Sequence, residues 1–165
     1  METLESENTG NVNYAGFWLR FVAYLIDDII ISAVGFVISL PFIGTIIFSG
    51  IALSDMDKCK ETTFIGIAGI VGIVLLLVIT LTVISWLYFA LMESSKQQAT
   101  LGKMALSLKV TDMEGNKISF GRATGRYFGK ILSGMIFMIG YILAGLTEKK
   151  QALHDMIAGC LVIRN

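Results

Sequence analysis

Three stretches of this chain carry no charged side chain: residues 29–54, 62–92 and 131–147. An uncharged apolar run of about 18 or more residues reads as a membrane span, because roughly 20 helical residues cross the hydrocarbon core. The first two runs exceed that length and the third is marginal. Each span is expected to be helical, since a helix bonds all its own backbone groups where no water can. The first helix is predicted to start near residues 14–17 and to run to about Leu40, where Pro41 ends or kinks it. The apolar run continues through PFIGTIIFSGIALS, which either completes the crossing or lies along the interface. SDMDKCKE reads as a loop. A second helix is predicted over 62–92, longer than one bilayer requires. Ala68 and Gly72 form a small-residue pair, and Gly66, Gly69 and Gly72 keep one side slim for close helix packing. Trp86 and Tyr88 suit the headgroup level.

Beyond residue 93 the period changes. ALSLKVTDMEGNKISF alternates Leu106, Leu108 and Val110, turns at MEGN, and resumes with Ile118 and Phe120, which predicts a short β-hairpin. CLVIRN reads as a further strand. Gly121, Gly125 and Gly129 stand four apart beside Arg122 and Arg126, a close-packing helix face. The run 131–147 allows two topologies. If it crosses, Lys149, Lys150 and Arg164 lie opposite the other basic residues. If it dips in and returns, with Gly134 and Gly140 tolerating the bend, CLVIR is free to pair with the hairpin.

Composition agrees with a membrane protein: of 165 residues, 55% are hydrophobic and 16% charged, against about 25% charged in soluble domains. Lys96, Lys103, Lys109, Lys117, Arg122, Arg126 and Lys130 follow the second helix, whereas only Lys58 and Lys60 precede it. The positive-inside rule therefore predicts a cytoplasmic segment 94–130 and a cytoplasmic N-terminus. That basic segment is expected to meet anionic lipid. Residues 1–13 form a polar tail without the basic start of a signal peptide, and the tail is expected to stay. A net charge of zero points to no nucleic-acid partner. Cys59 and Cys160 are isolated, without metal-ligand spacing. The expected fold is thus an all-α integral membrane protein forming one domain over 1–165. It has two long transmembrane helices, a third transmembrane or re-entrant helical segment and a small cytoplasmic β-hairpin.

The candidate chemistry lies in LRFVAYLIDDIIISAVGFVISL, where Arg20, Asp27 and Asp28 enter an apolar run. An ionisable residue near the bilayer centre costs roughly 2.5–3.5 kcal/mol, so it normally faces protein and has a partner. Arg20 and Asp27 are seven apart and share a helix face with Gly16, Ala23 and Tyr24. Their rise of about 10.5 Å allows a direct bond only at full stretch, so each is expected to find its partner elsewhere. Lys103, Arg122 or Arg126 are candidates for a carboxylate of helix one. Asp28 lies about 100° round the helix, towards a subunit interface or a water-filled cleft. His154 abuts Asp155, an orienting or capping contact; no paired nucleophile accompanies them. TLGK is too short for a phosphate loop. No metal site, cofactor or enzyme activity is expected.

Three blocks, AGFWLRFVAYLIDDIII, QQATLGKMALSLKVTDMEGNKISFGRATGR and KKQALHDMIAGCLVIR, occur in this order and cover most of the chain. Together they resemble the RDD family of small bacterial membrane proteins, named for one arginine and two aspartates. The resemblance maps these onto Arg20, Asp27 and Asp155, and makes Asp28 an extra acid. It implies a transport role, with monovalent cation/proton antiport linked to some members, in the bacterial inner membrane. In that reading Asp27 or Asp28 exchanges a proton for a cation, because a desolvated carboxylate has a raised pKa. Asp155 becomes the partner for Arg20. Two main spans do not enclose a pathway, so a homo-oligomer is expected. The alternative is a non-transporting scaffold whose hairpin and basic face recruit a partner.

Overall fold

The structure, a computed structural model, describes residues 13–55, 60–135 and 139–164. The tail 1–12 and Cys59 of SDMDKCKE lie outside the described residues. The chain is mostly helical, with two long apolar helices and one small antiparallel sheet. It divides into two compact units, one made of residues up to 27 together with 89 onward, the other of residues 28–88.

Helices α1 (Phe17–Asp55) and α2 (Lys60–Glu93) make up the second unit and lend their outer ends to the first. Within them, Phe17–Ala52 and Phe64–Glu93 are long and apolar enough to cross a membrane. Their 36 and 30 residues extend roughly 54 and 45 Å, beyond the ~30 Å hydrocarbon core. Their apolar side chains point outward: Phe48 and Phe64 are each 74% exposed. Lipid, not water, is the solvent such a surface fits.

Of the two outcomes expected at Pro41, an end or a kink, the end does not occur: α1 runs on through it. PFIGTIIFSGIALS continues the same helix. Leaving the helix in an apolar medium would strand several backbone groups, whereas proline removes a single N–H. Hydroxyls add local bonds around it. Thr45 Oγ1 donates to the Pro41 carbonyl at 2.8 Å, and Ser39 Oγ to the Phe36 carbonyl at 2.7 Å. Within the chain, a Cβ at Gly69 or Gly72 of α2 would meet nothing within 4 Å. Contact instead occurs at Gly35 of α1, whose Cβ position lies 3.5 Å from Leu81 Cδ2.

The first unit contains α3 (Leu101–Ala105), β1 (Leu108–Asp112), α4 (Phe120–Met135), α5 (Ile139–Leu146), α6 (Leu153–Ala158) and β2 (Cys160–Arg164). The strands pair antiparallel, with Val110 opposite Val162. The expected hairpin survives as its turn. Asp112 Oδ1 accepts the Glu114 and Asn116 N–H groups at 3.0 and 2.7 Å, and Gly115 takes φ +86. Its return arm reduces to one bridge, Thr111 to Lys117, because Ser119 Oγ accepts the Arg122 N–H and the chain enters α4. The second strand is therefore CLVIR. Its other edge receives residues 13–15: Ala15 N–H donates to the Val162 carbonyl at 2.9 Å, and Arg164 N–H to the Asn13 carbonyl at 2.8 Å. This ties the start of α1 to the end of the chain. Leu108, Val110, Ile118 and Val162 form the buried apolar centre.

The run 131–147 is not one helix: α5 packs against the end of α4. Gly140 lies against Ser133, where a Cβ would come within 2.6 Å of Ser133 Cβ, and Tyr141 Oη donates to the Lys130 carbonyl at 3.4 Å. The eight residues of α5 extend only about 12 Å. Of the expected Gly121, Gly125 and Gly129 face, only Gly129 is tight: its Cβ position is 3.0 Å from His154 Cβ, which brings α4 onto α6. Gly125 faces open space.

Candidate functional site

Asp27 is buried at the point where α1 meets α3, and it acts on that short helix directly. Its Oδ1 accepts the Gly102 N–H at 2.8 Å, and its Oδ2 accepts the Thr100 hydroxyl at 2.5 Å. Thr100 is the N-cap residue of α3 but makes no side-chain cap bond of its own. The Asp27 carboxylate thus does from a distance what an N-cap side chain does locally, satisfying an orphan N–H at the positive end of the helix. Bonds to an ionised acceptor contribute roughly 1.5–3 kcal/mol each. The approach is possible because residue 102 is glycine. A Cβ there would overlap the Ala23 carbonyl oxygen and lie 2.9 Å from Asp27 Cγ.

Arg20 donates through Nη1 to Asp155 Oδ2, and through Nε to the Ala15 carbonyl at 2.9 Å. Asp155 also receives Arg126 Nη2 on Oδ1 at 2.7 Å and the Ala152 N–H on Oδ2 at 3.2 Å, which caps α6. Arg126 then bridges onward, its Nη1 donating to Glu93 Oε2 at 2.9 Å. Glu93 Oε1 holds the Lys103 ammonium and, at 3.5 Å, that of Lys130. The result is a chain of alternating charge, Arg20, Asp155, Arg126, Glu93 and the two lysines, drawn from α1, α6, α4, α2 and α3. Arg126, Glu93 and Asp155 are each exposed by no more than 1%.

This environment shifts the groups outside the spans. Burial alone would raise the Asp155 carboxyl, but Arg126 and Arg20 outweigh it and hold the acid well below the usual carboxylate range. Burial would lower Arg126, yet Glu93 and Asp155 raise it above an ordinary arginine. Burial wins at Lys103, pushing its ammonium down to about 7 in spite of Glu93. Burial also wins at His154, whose ring is pushed down to about 3 although Asp155 Oδ1 lies 3.6 Å from Nε2.

The His154 shift sets a pH dependence. An unfolded imidazole protonates near 6.5, whereas the folded ring waits until about 3. The stability gained from a neutral ring is therefore fully present above 6.5 and lost as pH falls towards 3. Because the chain has a single histidine, its ring resonances report the site alone. They are expected to stay fixed between pH 7 and 5 in detergent, while the melting temperature falls over the same interval. A ring titrating near 6.5 would contradict this environment.

The other sequence candidates fall elsewhere. Lys103 and Arg126 bond Glu93, and Arg122 stands on the surface 4.0 Å from Asp112, a pair of little energetic weight. Tyr24 is 44% exposed and, with Arg20, Asp27 and His154, lines a cavity of about 400 Å³. Asp28 is exposed and makes no hydrogen bond or ion pair among the described residues. Sequence reasoning missed Glu93, Thr100 and Gly102. Glu93 had a readable signal: it is the one acid between Glu61 and Asp112, and it ends a helix, where the dipole disfavours a carboxylate and a cation is needed.

Two bilayer-length apolar helices joined to a compact unit with a buried ion-pair network define a small helical membrane protein. It belongs to the RDD family, which matches residues 14–159. The chain is 40% identical to the uncharacterized protein YxaI of Bacillus subtilis over 90% of its own length and 96% of that protein. It is 31% identical to the uncharacterized membrane protein YteJ of the same organism, over 91% and 80% of the two chains. A weaker relative is the uncharacterized protein RP437 of Rickettsia prowazekii, 39% identical over 40% of this chain and 36% of that one. No solved structure matches the chain.

Proposed function

We propose that the chain is the subunit of a small transporter in the bacterial inner membrane, exchanging a monovalent cation for protons, with its N-terminus in the cytoplasm. Asp28 is the proton-exchanging carboxylate. The observation that carries this reading is its setting. It lies within the apolar span, roughly 16 Å along α1 from Phe17 at 1.5 Å per residue, yet it is exposed and unpaired among the described residues. An acid facing an apolar medium needs a proton, water or a cation to offset its lost hydration, and it can pass from one to another. Ser32, Gly35 and Ser39 follow on the same helix face and line a groove of about 370 Å³ with Leu81 and Ile84. Hydroxyl and carbonyl oxygens along that face supply ligands for a dehydrated monovalent ion. Asp27, engaged with α3, is the structural member of the acid pair. Two spans per chain do not enclose a path, so the working unit is a homo-oligomer.

The test is cation uptake driven by a pH gradient in proteoliposomes. Asp28→Asn is expected to reduce uptake to the level of protein-free vesicles while leaving the melting temperature within about 1 °C of the parent, as an exposed substitution should. Asp27→Asn is expected to lower the melting temperature as well. Uptake by the Asp28→Asn protein equal to that of the parent would sink the assignment. No uptake by either would favour a scaffold that recruits a partner.

A further inference from the structure

The cavity of about 400 Å³ lies wholly within the unit formed by residues up to 27 and from 89 onward. Four cationic side chains line it, Arg20, Lys103, Arg126 and Lys130, against one acid, Asp27. The two carboxylates of the network, Glu93 and Asp155, are already shared among these four cations. Asp27 is bonded to α3. Four basic side chains thus stand against three acids, an excess of positive charge that is complete below about pH 7, where Lys103 is protonated. Arg20 Nη2, Arg126 Nε and His154 Nδ1 are moreover buried without a hydrogen-bond partner among the described residues. Two of these atoms, Arg20 Nη2 and Arg126 Nε, are obligate donors on residues that line the cavity, and a buried guanidinium N–H left unpaired is costly, so they call for an acceptor rich in oxygen. The rest of the wall is apolar and aromatic, with Phe17, Phe21 and Phe89 among its members.

From this geometry we infer that the cavity binds a phosphate group, held by the Arg20, Arg126, Lys103 and Lys130 side chains. A tetrahedral oxyanion carries enough acceptor sites to serve several cations at once, and arginine forks match it in geometry. The aromatic wall suits the glycerol and upper acyl segment of a phospholipid. Inorganic phosphate would use the polar end alone. The inference is independent of ion exchange at Asp28, which belongs to the other unit.

Purified full-length protein in detergent is titrated with inorganic phosphate at constant ionic strength, and separately with phosphatidylglycerol against phosphatidylcholine. Melting temperature and native mass spectrometry are the readouts. A saturable rise with inorganic phosphate supports the site as one for the free ion. A rise and a retained adduct with phosphatidylglycerol but not phosphatidylcholine supports it as a lipid headgroup site. Lys130 is the residue to vary, because Glu93 keeps Arg126 and Lys103 without it. Lys130→Gln is expected to weaken binding about ten- to a hundredfold, the loss of one charge-assisted hydrogen bond, and Lys130→Arg to retain it. If Lys130→Gln does not fold, protection of Lys103 and Lys130 from amine acetylation in the wild-type chain decides the matter: protection by either phosphate source supports the site. Absence of a shift and of protection with both, or binding unchanged in Lys130→Gln, would overturn it.

Discussion

Gly102→Ala is expected to abolish the folded protein, whereas Gly125→Ala is expected to be tolerated. Both substitutions add one methyl group to a helix, where alanine is intrinsically favoured over glycine by about 1 kcal/mol. At Gly125 nothing lies within 4 Å of the new Cβ, so the intrinsic gain should appear as equal or slightly higher stability. At Gly102 the methyl overlaps the backbone carbonyl of Ala23 and crowds the Asp27 carboxylate. A backbone oxygen cannot rotate away as a side chain can. Relief requires α3 to withdraw from α1, and withdrawal breaks the bonds from Gly102 and Thr100 to Asp27. The expected cost is at least about 4 kcal/mol, among the largest single-residue effects. Thermal unfolding in detergent and size-exclusion profiles of the two variants measure the contrast. A Gly102→Ala protein with parental melting would show that the α1–α3 contact is not close.

Arg126→Leu should cost about 3–5 kcal/mol, since it leaves two buried carboxylates short of a cation. Arg126→Lys should recover little. The arginine reaches Glu93 with one terminal nitrogen and Asp155 with the other, and an ammonium is a point charge without that fork. A double-mutant cycle with Glu93→Gln measures whether Arg126 joins two ion pairs into one network. A coupling above about 1 kcal/mol is expected for bonded partners, and strict additivity would mean that they act separately. Removing every charged member together for apolar residues should cost less than removing Arg126 alone, because no unpaired charge then remains.

The two long apolar helices were legible because a membrane imposes a local rule: uncharged runs as long as 29–54 and 62–92 fit lipid and not water. The pairing of Arg20 with Asp155 was reachable through the family resemblance, which singles out both residues and makes Asp155 the partner for Arg20. The role of Asp27 was not reachable by matching charges. Its partners are a hydroxyl and a backbone N–H, and nothing in QQATLGK marks a threonine and a glycine as receptors for an acid. The seven basic residues of 94–130 read as one lipid-facing surface. The fold instead turns Lys103, Arg126 and Lys130 inward and leaves Lys96, Lys117 and Arg122 outside. That division follows from the position of Glu93, the lone acid at the end of α2. The sheet was half visible. The alternation in 106–110 identifies a strand, but the competition between its nearby return arm and distant CLVIR is settled by where α4 begins.

The bond between Arg20 and Asp155 joins residues 135 positions apart, and CLVIR, further on still, holds residues 13–15. During synthesis both long helices therefore leave the ribosome well before the residues that complete the first unit. The charge network therefore closes only after Asp155 has been made, well after both long helices. The nascent chain can be anchored in lipid while its arginine at position 20 still awaits the aspartate made near the end. Contacts of such long sequence separation form slowly, so closure of the first unit is a late step in the folding of this chain.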